Sequence, residues 1–249
     1  MKNSYKLFIF TFITLFSFSQ AIAREYKSDD TLRATFLTHN YYTAGAFDAA
    51  IFSSATMQRP GYMDRMGTLR FTLFVNLGAT FHYDINNSLG FFTGLDVKNV
   101  GFIEKRNGDS TVKRRTYNLG VPLGVKFGNM NRRRYVFAGV GLDMPFNYKE
   151  KGFVSRSNKQ KIDEWFSTRT PTFMPYAFVG VSVKRRLTVK LQYYMGNFLN
   201  PDYQTTQNGV TVAPYAGYDV HLILLSFGHT FHYRDHNNVQ LNEAKLAAN

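Results

Sequence analysis

The chain has 249 residues, no cysteine, a single tryptophan, 16% aromatic residues and a formal charge of +13. The lack of cysteine excludes disulfides and thiolate chemistry. No apolar run past the N-terminal stretch approaches the ~18 residues of a transmembrane helix, and the positive charge suits an anionic lipid surface as readily as nucleic acid.

The first element reads as a leader. Lys2 and Lys6 precede an apolar stretch, Leu7 to Ser17, and Ala21-Ile22-Ala23 supplies the small residues a signal peptidase requires. The expected leader is 1–23, with the mature chain starting at Arg24; no cysteine follows to take a lipid anchor. Export, and the lack of a recognition fold, remove nucleic acid from the expected partners. Residues 24–45 show no clean alternation and stay unassigned as an N-terminal segment.

A barrel is expected over 46–233. Its first strand, the weakest, is placed within Ala46 to Ala55, and Gln58 to Gly67 forms the first outer loop. From Thr68 onward the chain alternates with period two. Leu69, Phe71, Leu73, Val75, Leu77, Ala79, Phe81 and Tyr83 share one face, opposite Arg70, Thr72, Asn76, Thr80 and His82. Strands follow over Leu89 to Phe102, Tyr117 to Phe127, Val136 to Tyr148, Tyr176 to Lys184, Leu187 to Phe198 and Asp219 to Tyr233. In Tyr117 to Phe127 the odd positions are apolar, and Asn118, Gly120, Pro122, Gly124 and Lys126 face the other way.

Connectors alternate short and long. Asn86-Asn87-Ser88, Asn129 to Arg132 and Arg185-Arg186 are tight turns; Glu104 to Arg115, Lys149 to Thr170 and Pro201 to Gly217 are long. This is the pattern of an all-β, antiparallel transmembrane β-barrel of eight strands, with short periplasmic turns and a polar tail, 234–249, in the periplasm. Ten strands would need a further hairpin between Glu25 and Tyr42, where no alternation supports one. So narrow a lumen is filled by side chains. The inward charges Arg70, Asp96, Lys98, Lys126, Asp143, Lys184 and Lys190 are expected to pair in a network. Tyr83, Tyr117, Tyr148, Tyr193 and Tyr233 are expected outward, at head-group level.

The last strand carries Ser226-Phe227-Gly228-His229-Thr230-Phe231-His232-Tyr233. It resembles the C-terminal insertion signal of bacterial outer-membrane barrels, with Ser226, Gly228, Phe231 and Tyr233 in the matching positions. That resemblance implies the barrel-assembly machinery as a partner and the outer membrane as destination. Tyr117-Asn118-Leu119-Gly120-Val121-Pro122-Leu123-Gly124-Val125-Lys126, followed by Tyr135 to Leu142, is similar to the Bacteroidetes outer-membrane β-barrel family that includes PorT-like proteins. The resemblance spans Thr68 to Tyr233 and implies a role beside type IX secretion components.

Catalytic signatures are missing: there is no HExxH, GxSxG or phosphate-cradling loop, so no metal or cofactor is expected. One lipid A-modifying arrangement deserves a test: His221 beside Asp219, with Ser53 or Ser54 brought close when the barrel closes. The basic outer loop, with Lys149, Lys151, Arg156, Lys159, Lys161 and Trp165, is a candidate grip on lipopolysaccharide or another surface ligand. The reading expected is a non-enzymatic outer-membrane barrel, structural or accessory to envelope assembly or secretion. A surface-binding barrel and a lipid A-modifying enzyme are the alternatives.

Overall fold

In the computed structural model the described residues are 40–59, 62–105, 111–130, 132–153, 159–183, 187–207 and 209–235. The expected leader, most of the N-terminal segment, the Arg185-Arg186 turn, Arg156, Lys184 and most of the tail lie outside them.

In chain order the strands are β1 (Asn40–Arg59), β2 (Tyr62–Met66), β3 (Arg70–Asp84), β4 (Leu89–Lys105), β5 (Thr111–Asn129) and β6 (Arg134–Phe153). Then come β7 (Lys159–Trp165), β8 (Met174–Val183), β9 (Leu187–Tyr194), β10 (Thr205–Gln207), β11 (Val210–Val212) and β12 (Asp219–Asp235). Eight of them form an antiparallel ring, β1-β3-β4-β5-β6-β8-β9-β12, which closes as β12 pairs with β1. Closure leaves no open sheet edge around the ring. β2 pairs with one end of β1, β7 with the corresponding end of β6, and β10 with β11 forms a separate hairpin.

The ring sorts its side chains as alternation demands. Along β5, Val112, Arg114, Thr116, Asn118, Gly120, Pro122, Gly124 and Lys126 are buried, while Leu119, Val121, Leu123 and Phe127 are exposed. Leu95, Leu123, Val140 and Val179 are each more than half exposed, at 52–59%, on four different strands. An apolar belt around a closed sheet with a polar interior is the exterior of a transmembrane β-barrel. Pro122 has no N–H to give, and the β4–β5 ladder lapses opposite it; its carbonyl accepts from the Thr93 hydroxyl at 2.8 Å instead.

Short turns gather at one end. Asn86 Oδ1 accepts from the N–H groups of Ser88 and Leu89 at 2.8 and 2.9 Å, and Asn129 Oδ1 accepts from Arg132 at 2.8 Å. The pairing of Asn40 with Asp84, and of Tyr42 with Asp235, brings the first and last strand ends to that same end.

Four expectations change. β1 starts at Asn40, earlier than the stretch expected, and contains an extra residue, Ala49, between the rungs Asp48–Gly228 and Ala50–Phe227. The bulge switches phase, so Asp48 below it and Ile51, Ser53 and Ala55 above it all point inward, which blurs the alternation. A second bulge leaves Phe146 unpaired between Tyr117–Asn147 and Asn118–Pro145. It turns Tyr148 into the lumen, where it is 1% exposed, contrary to the outward position expected. The long connectors also hold more strand than expected. β4, β5 and β6 run on past the membrane belt and β7 returns along β6, because their alternation continues with charges rather than apolar residues. Lastly, β9 stops at Tyr194: Asn197 Oδ1 accepts from the N–H groups of Leu199 and Val220, and its amide donates to Tyr218 O. That bracket folds Phe198 inward instead of extending the strand to it.

Candidate functional sites in the lumen and on the rim

The lumen is filled in tiers. Nearest the short turns, Lys126 Nζ lies 2.5 Å from Asp84 Oδ1, donates to Tyr42 Oη at 2.9 Å and sits over the Tyr135 ring. His82 stacks between Tyr42 and Phe92, with Nε2 2.8 Å from the Thr80 hydroxyl. Beside it, Lys190 Nζ pairs with Asp48 Oδ2 at 3.3 Å, and the Asn76 amide donates to the same carboxylate. A cavity of about 100 Å³ separates these groups, walled by Asp48, Asn76, His82, Phe92, Tyr135 and Lys190 among others. A space of that size has room for water beside the charged groups.

Aromatic rings cross the lumen next. Phe92 faces Gly124, Phe137 faces Gly180, Phe178 faces Gly139 and Tyr176 faces Gly141, each pair in register on neighbouring strands. A side chain on any of these glycines would strike the ring opposite it, so the missing Cβ makes the room that the ring fills. Above them Lys98 Nζ lies 2.9 Å from Asp143, 3.3 Å from Asp96 and 4.1 Å from the centre of the Tyr176 ring. Asp143 also accepts from the Tyr194 hydroxyl at 2.5 Å and from the Asn118 amide at 3.1 Å. Two carboxylates and an aromatic face thus compensate a fully buried ammonium.

The end bearing the long loops is filled differently. Arg114 joins Glu104 at 2.5 Å and Glu150 at 3.0 Å, and Glu150 accepts from the hydroxyls of Tyr148 and Tyr215 at 2.6 and 3.3 Å. Next to this cluster Phe198 and Leu199, from the loop after β9, pack with Val100, Phe102, Val220 and Leu222, all at most 1% exposed. Phe198 meets Phe102 edge-on at 5.3 Å.

Of the inward charges expected, Asp96, Lys98 and Asp143 meet one another, whereas Lys126 and Lys190 meet Asp84 and Asp48. Arg70 stands apart, donating to Asn99 at 2.5 Å across a stretch where β3 and β4 exchange no ladder bonds. There the Ser53 hydroxyl donates to Gly101 O at 2.7 Å. Sequence reasoning missed Asp48, Asp84, Glu104, Arg114 and Glu150. Asp84 lies two positions from inward His82, and Arg114 and Glu104 continue the inward phase of β5 and β4; following the alternation past its apolar part would have found these three.

In the insertion signature, Ser226 and Gly228 are buried, and Gly228 leaves space for the Asp48 carboxylate. Phe231 and Tyr233 pair in the ladder with Gly45 and Ala44. His221 Nε2 does lie 3.1 Å from Asp219, but its Nδ1 faces Tyr194 O at 3.3 Å. Ser54 gives its hydroxyl to Gly67 O and Ser53 to Gly101 O, so neither is engaged as a nucleophile by this histidine.

On the rim, Lys149, Lys151, Lys161 and Trp165 lie on the outward face of the β6–β7 hairpin, and Lys159 pairs with Phe153 in its ladder. Lys149 meets Asp163 at 3.0 Å. On the inner face Glu164 is partly desolvated, which raises its carboxyl, but hydrogen bonds from Arg169 and Ser167 outweigh this and hold it below the ordinary 4.5.

No protein-family model and no curated protein matches this chain. Solved structures similar to it include Ail, the attachment invasion locus protein of Yersinia pestis (12% identity, 76% of this chain and 98% of that one, TM-score 0.32). Others are Neisserial surface protein A (14%, 76% and 95%, TM-score 0.37) and the outer membrane protein AlkL in DMPC bilayers (11%, 83% and 96%, TM-score 0.37). At these identities and scores they carry no argument about role.

Proposed function

We propose that this chain is a non-enzymatic outer-membrane β-barrel, structural or accessory to envelope assembly or protein secretion, of the type IX kind that the PorT-like resemblance implies. The observation that carries the reading is the filled lumen. Successive tiers of Lys126–Asp84, the aromatic rings, Lys98 with Asp96 and Asp143, and the Phe198 cluster occupy the bore from one end to the other. A barrel built this way offers its outer wall and rim, rather than a channel, to the cell. At His221 the two serines weighed as nucleophiles give their hydroxyls to Gly101 O and Gly67 O instead, which favours the non-enzymatic side of the reading.

Insertion through the barrel-assembly machinery is the role we assign to the last strand, with Phe231 and Tyr233 as its aromatic positions. Two measurements test the proposal. In planar bilayers the purified protein should give no steady porin-sized conductance; a stable open channel would sink the closed-barrel reading. In a deletion strain, quantitative proteomics should find a set of secreted proteins lost from the supernatant and accumulated in the periplasm. Untouched secretion would remove the secretion role and leave a structural one.

A further inference from the structure

The outer wall where β5, β6 and β7 leave the membrane belt is stratified. Lowest are the exposed aliphatic residues Leu119, Val121 and Leu142. Above them comes an aromatic band in which Tyr117 lies 6.4 Å from Phe146, and Phe146 stacks on Trp165 at 6.0 Å. Above that come two rungs of charge. Arg115 pairs across the ladder with Lys149 and Lys149 with Asp163; one rung higher Lys113 pairs with Lys151 and Lys151 with Lys161.

All six of these side chains are on the outward face. Their neighbours in sequence, Val112, Arg114, Tyr148, Glu150, Ile162 and Glu164, point to the other side, where Arg114 is 1% exposed. Among the described residues, the two rungs therefore set five cations and a single carboxylate on one patch of wall. Side chains directly opposite one another in adjacent strands stand about 5 Å apart, and like charges in that position repel. Three lysines in one rung thus concentrate positive charge at the top of this wall. Arg115 and Lys149 also lie over the Tyr117 ring, at 5.9 and 5.7 Å, so the lower cations are held against the aromatic band.

We propose that this wall is a binding site for a phosphorylated lipid of the leaflet facing the long loops. Its acyl chains would run along Leu119, Val121 and Leu142, and its phosphate groups would rest on Lys113, Arg115, Lys149, Lys151 and Lys161. The vertical order of the wall carries the choice of a lipid over a soluble anion. Aliphatic, aromatic and cationic layers follow one another over a few residues at ~3.3 Å each, in the order in which acyl chain, interface and phosphate follow one another in a leaflet. The inference takes the membrane placement from the proposed function but is independent of any role in secretion.

Trp165 is the single tryptophan of the sequence and borders the patch, so its emission reports on the site alone. The full-length protein, folded in phosphatidylcholine nanodiscs, would be titrated with diphosphorylated lipid A, the dephosphorylated glycolipid and inorganic phosphate. A saturable change in Trp165 emission is expected with the diphosphorylated lipid only. The triple variant Lys113→Gln, Lys151→Gln, Lys161→Gln should bind it about a hundredfold more weakly at low salt. Arg132→Gln with Arg134→Gln, at the opposite end of the barrel, should bind it unchanged. Far-UV circular dichroism and heat-shifted gel mobility establish that each variant is folded. The proposal fails if the triple variant binds as tightly as the parent, if the phosphate-free glycolipid binds equally, or if inorganic phosphate produces the same change. Because the titration uses purified protein, its failure is separable from that of the secretion role, which is read in cells.

Discussion

The two ends of the lumen share paired charges but differ in what else fills them. Toward the short turns, the strands themselves supply charges and pair them: Lys126 with Asp84, Lys190 with Asp48. Toward the long loops the strands again pair charges, Arg114 with Glu104 and Glu150, but a segment outside the ring adds apolar side chains, and Phe198 and Leu199 pack onto Phe102 and Leu222. The charge pairs depend on partners. A buried ion pair adds little net stability over an apolar pair, yet losing one partner strands the other at large cost. The apolar plug depends on volume, and its loss is felt as a cavity. Strand-borne charges are thus tied to register, while the loop-borne plug is tied to the fold of one connector.

The sharpest way to break this contrast is at Lys98. Lys98→Met leaves Asp96 and Asp143 buried without their cation and should cost about 3–5 kcal/mol in urea unfolding of the lipid-embedded protein. Replacing Asp96 by Leu and Asp143 by Asn in the same chain, which keeps an acceptor for Tyr194 and Asn118, should return most of that stability. Failure of the triple variant to recover would mean that the network is required for more than charge balance.

Phe198→Ala should cost about 3 kcal/mol by the same measurement, through the cavity left against Phe102. It should not open a conductance, since the tier of Phe92, Phe137 and Phe178 stays in place below. A channel appearing in Phe198→Ala would show that the loop plug alone keeps the barrel closed.

The smallest effect concerns the rim. Glu164 is held below its ordinary value in the fold, so its contribution is present above pH 4.5 and lost as pH falls through the folded-state value. Being partly exposed, the Glu164–Arg169 pair should contribute under about 1 kcal/mol. Stability measured against pH should therefore fall on acidification in the parent, and the Glu164→Gln variant should show a slightly smaller fall. Identical profiles would remove this pair from the account.

Much of the wall was legible in the sequence because lipid imposes one rule on every second residue. β5 follows it for its full membrane passage, and the faces assigned from Tyr117 to Phe127 are the faces observed. The rule gives out where a bulge shifts the count, as at Ala49 and Phe146, since one additional residue reverses every later side chain. That is why Tyr148 was expected in the membrane interface and lies instead against Arg114 and Glu150. It also gives out where strands leave lipid, because alternation in water carries no hydrophobic contrast and reads as loop. Which charge meets which was not legible at all. Lys98 and Asp143 are 45 positions apart in numbering and come together through the registers of β4 with β5 and β5 with β6.

The β1–β12 seam has a consequence for how the molecule comes into being. The strands that complete the ring are the first and the last of it, so no ribosome-order or domain-by-domain route can finish the sheet before its final strand is available. Lys190, on β9, reaches across β12 to Asp48 on β1, past the notch left by Gly228, so this bond forms only when the seam is zipped. An unclosed ring would leave two sheet edges without partners and Lys190 without its carboxylate. Once closed, the same bond stands across the joint between the first and last strands of the ring, so that a charge pair, and not the ladder alone, ties the seam.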